Sequence, residues 1–326
     1  MDTFSVEKYQ PKFATIWNDF VATSKNATFL FQRDFMEYHQ DRFEDFSLMV
    51  FKDDKLIALL PANEVNDELH SHQGLSYGGF ILQNDIVFED VLASFKVILE
   101  FLDEKSIQTL HIKLLPKIYH WLPSDEIDYL LFLVNAQISR RDLSETIEIA
   151  KKTKIASSNR VRGLKKGVKN GLIVKERESF DDFWKEILIP NLQLQHQTTP
   201  VHSLEDISFL KSKFPKQIRQ FNVYKDSHIV AGVTIFETDT VAHAQYISAN
   251  HERQELGSLD FVFDHLINEV FKHKTYFDFG ISNENQGRNV NLGLLSWKES
   301  FGAKPIIHDF YSIETSNYQL LNGVLK

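Results

Sequence analysis

Side chains that could orient a polar substrate gather in one stretch near the C-terminus, residues 276–302. The apolar segment 276–280 contains Asp278 and is typical of a buried strand that ends at Gly280. A polar loop follows, and a short helix then presents Trp297 and Lys298. Loops at the ends of core strands often carry function, whereas asparagine-rich loops are also ordinary turns, so both interpretations stay open. The loop carries Glu284, Asn285, Gln286, Arg288, Asn289 and Asn291.

Two histidines in the polar, aperiodic segment 193–203 are candidate general bases. His196 and His202 carry imidazoles, which titrate near neutral pH and can therefore accept a proton during catalysis. A plain surface loop is the competing interpretation. No Gly-x-Ser-x-Gly elbow, Walker loop or Gly-x-Gly-x-x-Gly fingerprint occurs, so the sequence does not indicate triad hydrolysis or a common nucleotide site.

A second histidine pair raises the question of a metal. His70 and His72 lie on a predicted strand, where alternation would put both imidazoles on one face. Two metal ligands are conceivable there, but no acid or cysteine completes the set by sequence. The chain contains no cysteine, which excludes disulfides, cysteine nucleophiles and thiolate metal sites. We therefore expect no metal.

The stretch 151–170 is strongly basic, with eight lysines and arginines and no acid. Val161, Leu164 and Val168 recur at spacings of three and four, which predicts an amphipathic basic helix. Such a helix could bind the phosphates of tRNA, CoA or a nucleotide sugar, or could simply be a solvated face. The stretch lacks the aromatic residues that stack on bases. Its basic residues are Lys151, Lys152, Lys154, Arg160, Arg162, Lys165, Lys166 and Lys169.

A long internal repeat organises the chain. Residues 50–58 and 223–231 share an apolar strand, a polar tip and a second apolar strand, which predicts two equivalent β-hairpins. The likeness continues, since Gln73 and Ser76 correspond to Gln245 and Ser248. The segment 109–113 likewise corresponds to 276–280. We therefore predict two domains, 1–150 and 151–326, whose junction lies within 135–160, where the small polar segment 155–159 would suit a linker.

The elements predicted around these residues follow the same order in both halves. Each half has a hairpin, a further strand, an amphipathic helix (88–102 and 259–271) and another strand. This order indicates a mixed α/β fold with an antiparallel-rich sheet. Two further helices are predicted over 6–24 and 33–45.

Charge and hydropathy indicate the kind of ligand and the cellular location to expect. The net charge is −9, and the second half is the more basic, which favours it for an anionic ligand. The N-terminus lacks the features of a signal peptide, and the apolar runs are too short to span a bilayer. We expect a cytoplasmic protein without integral membrane contact.

Three C-terminal motifs resemble those of FemAB-like proteins, which are tandem GNAT-fold acyltransferases. They are Asp-Phe-Gly-x-Ser from Asp278, Gly-x-x-x-Asn-x-Gly-Leu from Gly287 and Lys-x-x-Phe-Gly from Lys298. The segments 43–48, 60–62 and 71–79 resemble the first half of the same group. The resemblance covers most of the chain and implies two GNAT-like domains packed side by side.

The resemblance also implies roles for particular residues. The residue equivalent to Lys298 stabilises charge at the acyl carbonyl, as a cation beside an oxyanion would. GNAT domains hold acyl-CoA with a splayed pair of strands and a phosphate loop before a helix. Gln254, Gly257 and Ser258 occupy the loop position, although Leu259 replaces the final small residue. This departure leaves room for aminoacyl-tRNA as the donor, and a simple helix cap is the competing interpretation.

Together these observations predict an N-acyltransferase. It would move an acyl group, with acyl-CoA the favoured donor, to an amine of a sugar-nucleotide or cell-envelope precursor by direct attack. His202, or a water held by Tyr246, would act as base, with Lys298 and backbone N–H groups of 242–248 at the oxyanion. The residues expected to orient the acceptor are Gln73, Tyr77, Asp278, Arg288 and Asn291.

Two alternatives remain: a tRNA-dependent FemAB-type transferase acting on a peptidoglycan precursor, and a non-catalytic binding module with this fold. We expect no tightly bound cofactor and no DNA partner. The resemblance implies no metal either.

Overall fold

The computed structural model describes residues 2–152 and 157–326. The chain divides into two compact units, the first formed by Met1–Asp142 with Ile307–Lys326 and the second by Leu143–Ile306. The division therefore falls several residues before the predicted boundary at 150. The C-terminal segment Ile307–Lys326 belongs to the first unit, which the sequence did not predict. Part of the predicted linker, residues 155 and 156, lies outside the described residues.

The first unit combines four helices with short strands. Its helices are α1 (Ala14–Thr23), α2 (Arg33–Met36), α3 (Phe88–Glu104) and α4 (Glu126–Leu133). Its strands are β1 (Phe4–Lys8), β2 (Glu44–Asp45), β3 (Leu48–Lys52), β4 (Lys55–Leu60), β5 (Asn63–Val65), β6 (Glu68–His70), β7 (Ile81–Leu82) and β8 (Thr109–Lys113).

Strand β9 (Gln137–Glu148) leads into the second unit, whose main strands are longer than those of the first unit. The remaining strands are β10 (Ile173–Arg177), β11 (Ile218–Lys225), β12 (His228–Glu237), β13 (Val241–Ala249), β14 (Tyr276–Ile281), β15 (Asn283–Glu284), β16 (Asn289–Val290) and β17 (Lys304–Glu314), which leads back. The remaining helices are α5 (Ser158–Lys169), α6 (Ile189–His196), α7 (Leu204–Lys213), α8 (Arg253–Leu256), α9 (Ser258–His265) and α10 (Leu292–Glu299).

The predicted hairpins are confirmed, and the two also share irregularities that the sequence did not predict. β3 pairs with β4, and β11 pairs with β12, each through an antiparallel ladder. Both tips have two consecutive residues with positive φ, Asp53–Asp54 and Asp226–Ser227, as tight hairpin turns require. Each hairpin also shifts register at the corresponding residue, after Val50 in the first and Val223 in the second. The repeat in the sequence is thus a repeat in the fold.

Both units also contain a short parallel ladder that follows the hairpin. In the first unit, Glu68–His70 of β6 pairs with Thr109–His111 of β8. In the second unit, Val241–His243 of β13 pairs with Tyr276–Asp278 of β14. A helix connects the two strands in each case, α3 in the first unit and α9 in the second, because parallel neighbours need a crossover.

The predicted amphipathic helix 88–102 is confirmed as α3, whose apolar face packs into the core of the first unit. The predicted helix 6–24 is wrong at its start, because residues 4–8 form β1 and pair with β3. The predicted helix 33–45 is also too long, since α2 ends at Met36. No helix of the described residues is long and apolar enough to cross a membrane.

The predicted basic helix exists as α5, but its buried face is wrong. Val161 and Val168 are exposed, whereas Gly163 and Gly167 are buried. A Cβ on Gly163 would overlap the Asp260 carboxylate, and one on Gly167 would lie 2.7 Å from Phe261. Because glycine has no side chain, the backbone of α5 packs directly against α9. The contact is made by the glycine face of α5, and Val161 and Val168 lie outside it.

Candidate active site

The strands β13 and β14 separate beyond their short parallel ladder. The ladder ends at the pair His243–Asp278, and β13 continues to Ala249, where it pairs with β12. β14 turns at Gly280, whose φ of 77° is in the left-handed region that favours glycine. A gap between parallel strands presents backbone N–H and C=O groups, with which an extended amide-bearing chain can pair.

A histidine–carboxylate pair marks the point where the strands part. The Nδ1 atom of His243 lies 2.8 Å from Oδ2 of Asp278. The other carboxylate oxygen, Oδ1, accepts hydrogen bonds from Ser144 Oγ at 2.8 Å and from the Gly280 N–H at 2.9 Å. The Asp278 side chain is 4% exposed and that of His243 is 22% exposed. The carboxylate can therefore hold the Nδ1–H tautomer, which leaves the Nε2 lone pair for a proton.

A buried ion pair lies beside this dyad. Lys298 is 2% exposed, and its Nζ donates to the carbonyls of Gly280 and Ile281 at 2.7 Å each. The same Nζ lies 3.4 Å from Glu145 Oε2, which also accepts a hydrogen bond from Ser282 Oγ. Burial lowers the pKa of the Lys298 ammonium and raises the pKa of the Glu145 carboxyl, although each partner opposes the shift of the other.

The predicted pair His202 and Tyr246 is brought together at a second place. His202 Nδ1 lies 2.6 Å from the Tyr246 hydroxyl, which also accepts from the His202 N–H at 3.2 Å. His202 is 6% exposed. Trp184 packs edge-on against Tyr246, with ring centroids 5.1 Å apart. This pair is therefore closely packed, but its imidazole is less accessible than that of His243.

A bulge in β13 places His243 and Tyr246 on the same face of the strand. Ala242, Ala244 and Ile247 of β13 face the core of the second unit. The register of β13 shifts against β12 between Ala244 and Tyr246. Because a bulge interrupts the alternation, His243 and Tyr246 both lie on the face opposite that core.

The predicted phosphate loop is closely packed by α5. Gly257, with φ of 70°, separates α8 from α9. A Cβ on Gly257 would lie 2.0 Å from the carbonyl oxygen of Gly163, and Ser258 is fully buried. Lys166 Nζ donates to the carbonyl of Gln254 at 2.8 Å. The backbone of α5 thus occupies one side of the loop that resembles a pyrophosphate site.

Some of the cations of the basic stretch 151–170 have partners within the second unit. Arg160 pairs with Asp260, and Lys152 Nζ donates to Asn268 Oδ1 at 2.5 Å. Arg162, Lys165 and Lys169 are exposed, whereas Lys154 lies outside the described residues. The side chain of His196 is likewise not described.

The polar C-terminal loop forms the hairpin β15–β16. Arg288 is exposed in the turn that joins the two strands. Asn291 caps α10, since its Oδ1 accepts from the Leu294 N–H at 3.0 Å and its Nδ2 donates to Glu284 Oε1. Asn291 therefore has a structural task in addition to the predicted contact with an acceptor.

The two acceptor residues predicted in the first unit differ in accessibility. Gln73 is exposed, and its amide oxygen accepts from Asn63 Nδ2 at 3.0 Å. Tyr77 is 7% exposed, donates to Thr28 Oγ1 and packs between Phe31 and Tyr119. Tyr77 thus contributes chiefly to the core of the first unit.

The predicted histidine pair of the first unit is separated. β6 ends at His70, and His72 has φ of 59°, which turns it away from the strand. Its ring is buried against His39 and Phe43. The idea that His70 and His72 share one strand face is therefore wrong, because the strand ends between them.

Comparisons with known proteins identify the fold. No family model matches the chain, and no curated protein matches it. Among solved structures, FemX has a TM-score of 0.68 at 10% identity and covers 97% of this chain and 99% of its own. L-PGS from Bacillus licheniformis has a TM-score of 0.59 at 11% identity, covering 97% and 94%. A tandem GNAT protein from the clavulanic acid biosynthesis pathway has 0.51 at 10%, covering 97% and 99%.

These similarities extend over nearly the whole chain at very low identity. They show a mixed α/β fold of the FemAB-like, tandem GNAT type, as the sequence motifs predicted. At this identity they show the fold alone, so the chemistry must be argued from the site itself.

Proposed function

We propose that the chain is an N-acyltransferase, which moves an acyl group from an activated donor to an amine of a sugar-nucleotide or cell-envelope precursor. The observation that carries this proposal is the pair His243–Asp278 at the point where β13 and β14 separate. An acyl donor with an amide-bearing arm can pair with β13 in the gap, which brings its carbonyl towards a base.

His243 is the base in this proposal. Its Nε2 takes the proton as the amine attacks the acyl carbonyl, and Asp278 fixes the tautomer and stabilises the imidazolium that forms. We prefer His243 over His202 because its side chain is more exposed and has a buried carboxylate partner. Asp278 then positions the base instead of touching the acceptor.

The other groups support direct transfer without a covalent enzyme intermediate. As the new C–N bond forms, the bond to the donor's leaving group breaks, and the leaving group takes up a proton. The Tyr246 hydroxyl, which is hydrogen-bonded to His202, is a candidate donor of that proton. Positioning of this kind can supply up to about 7–11 kcal/mol of a barrier.

Lys298 takes a positioning role in this proposal. Its ammonium is buried and binds the carbonyls of Gly280 and Ile281, so it fixes the turn at which β14 leaves β13. Backbone N–H groups of β13 within 242–248 remain the proposed donors to the oxyanion.

The donor is the point on which two versions of the proposal differ. Acyl-CoA is favoured by the gap between the strands, which suits a pantetheine arm. Aminoacyl-tRNA is the second candidate, because Gly163 packs against Gly257 and narrows the loop proposed for pyrophosphate. The exposed cations of α5 would then contact tRNA phosphates.

The experiment is a donor and acceptor screen. Free thiol released from acetyl-CoA is measured with a thiol reagent against a panel of amino sugars, sugar-nucleotide amines and peptidoglycan stem peptides, and the chain adds no thiol background of its own because it lacks cysteine. A parallel arm follows labelled amino acid from charged tRNA. Acceptor-dependent release in one arm supports the matching donor. Ligand binding without turnover in either arm would instead indicate a non-catalytic module.

A further inference from the structure

The first unit carries a cluster of metal-ligating side chains on the sheet face opposite its core. Glu68 and His70 lie on β6, and His111 lies on β8. The parallel register places His70 directly beside His111. Leu69 and Leu110 alternate with them and point into the core, so the three polar side chains share the other face.

The ligating atoms of the cluster converge. Glu68 Oε2 lies 3.2 Å from His111 Nε2 and 3.5 Å from His70 Nε2. The three ligating atoms all lie within 4.8 Å of one another. The two imidazole rings stack with centroids 4.6 Å apart and planes 14° apart.

One of the three ligating atoms, His111 Nε2, makes no hydrogen bond to any described residue. His111 Nε2 is shielded from solvent and has no partner in hydrogen-bond geometry, although Glu68 Oε2 is close. A buried polar atom without a partner costs free energy, which a bound cation would recover.

The charges around the cluster are compatible with a cation. Lys113 is the nearby positive side chain on β8, but its Nζ is turned to the carbonyls of Gln73 and Leu75 at 3.0 and 2.7 Å. Ser312 and Asn63 occupy the same row of the sheet beside His111 and His70, and both are uncharged. Glu68 supplies the negative charge that a divalent ion needs.

We propose that Glu68, His70 and His111 form a binding site for a divalent transition metal ion, with zinc as its occupant. Two imidazoles and one carboxylate are ligands that zinc accepts at open sites, where a fourth position holds water or an oxygen atom of a ligand. The site lies wholly in the first unit and is independent of the proposed acyl transfer.

The test measures zinc binding by titration calorimetry on the untagged full-length chain after chelator treatment. We expect one zinc ion per chain, and we expect the cobalt(II) form to show the visible absorption of a low-coordinate site. Glu68→Gln and His111→Gln should each weaken zinc binding at least about tenfold.

Matched controls separate this site from the chain's other histidines. Glu64→Gln removes a carboxylate from the neighbouring strand, where the register with Leu69 places it on the other sheet face. His251→Gln removes an exposed histidine. Both should bind zinc like the wild type. Absence of zinc binding by the wild type, or full binding by both Glu68→Gln and His111→Gln, would overturn the proposal. Glu68 is 45% exposed, so its variant keeps the test valid if His111→Gln misfolds.

Discussion

The two units place different side chains at the same point of the same ladder. In the second unit His243 faces Asp278, and in the first unit His70 faces His111. A carboxylate beside an imidazole fixes one tautomer and makes a base. A second imidazole, with Glu68 nearby, instead makes a set of metal ligands. In our two proposals, one change of partner thus gives the repeats different chemistry on a common backbone.

The groups around the two ladders also differ in their exposure to solvent. The carboxylate of the second-unit pair, Asp278, is 4% exposed and lies near the buried groups Glu145 and Lys298, whereas Glu68 of the first-unit cluster is 45% exposed. A catalytic base benefits from a preorganised, water-poor setting, and a metal site with an open position needs access.

Asp278→Asn should produce the largest effect, because an amide cannot hold the His243 tautomer or stabilise the imidazolium. We expect kcat to fall by about 10²–10⁴ with little change in the donor KM. The matched control is Asp226→Asn at the tip of the β11–β12 hairpin, where positive φ also suits asparagine. Equal kcat values for the two variants would remove Asp278 from the mechanism.

Removing one partner of the buried pair in the second unit should be the next largest effect. Glu145→Gln or Lys298→Met leaves a buried charge uncompensated and should cost about 3–5 kcal/mol of unfolding free energy. The double variant should be more stable than either single variant. The measurement is urea unfolding of each protein.

Lys117, which is exposed and pairs with Asp125, gives the comparison in the first unit. Lys117→Met should cost less than about 1 kcal/mol. If Lys298→Met had the same unfolding free energy as Lys117→Met, the buried pair would contribute nothing to the stability of the second unit.

Lys113 offers a pH test of the first unit. Burial lowers the pKa of Lys113 to about 8, so its ammonium costs free energy in the folded state. The unfolded chain holds this proton up to its ordinary pKa, so wild-type stability should rise between pH 8 and 10.5 relative to Lys113→Met. The gain is at most about 3 kcal/mol. Unfolding free energies of both proteins across this range test it, and a constant difference would contradict the shift.

Asn291 should show the smallest effect. Asn291→Ala removes the cap of α10 and should cost about 1 kcal/mol, as Ser203→Ala should at the capping box of α7. If Asn291 also contacts the acceptor, only Asn291→Ala will raise the acceptor KM. Thermal unfolding and steady-state kinetics of the pair measure the two effects separately.

Local patterns predicted much of the fold. Both hairpins and α3 follow from short-range alternation and periodicity, and the internal repeat added the tandem arrangement. The N-terminal helix was misassigned because β1 gains its stability from pairing with β3, a distant segment. The buried face of α5 was missed because glycine carries no hydropathy signal.

The groups of the candidate site were anticipated from the sequence only in part, for a related reason. Asp278, Lys298, His202 and Tyr246 were proposed from residue type and resemblance. His243 and Glu145 were missed because their partners lie across strands and far along the chain. The repeat contained a signal, since the offset of 173 residues between the hairpins aligns His70 with His243, and each histidine is paired in register with a second polar side chain.

The most direct test of this account is the pH profile of kcat/KM for acyl transfer by His243→Gln beside His202→Gln. We predict that His243→Gln loses most of the rate, together with the rise in kcat/KM that reports deprotonation of the base. His202→Gln should keep that rise. A wild-type profile in His243→Gln, with the rise lost in His202→Gln, would contradict the assignment and make His202 and Tyr246 the catalytic pair.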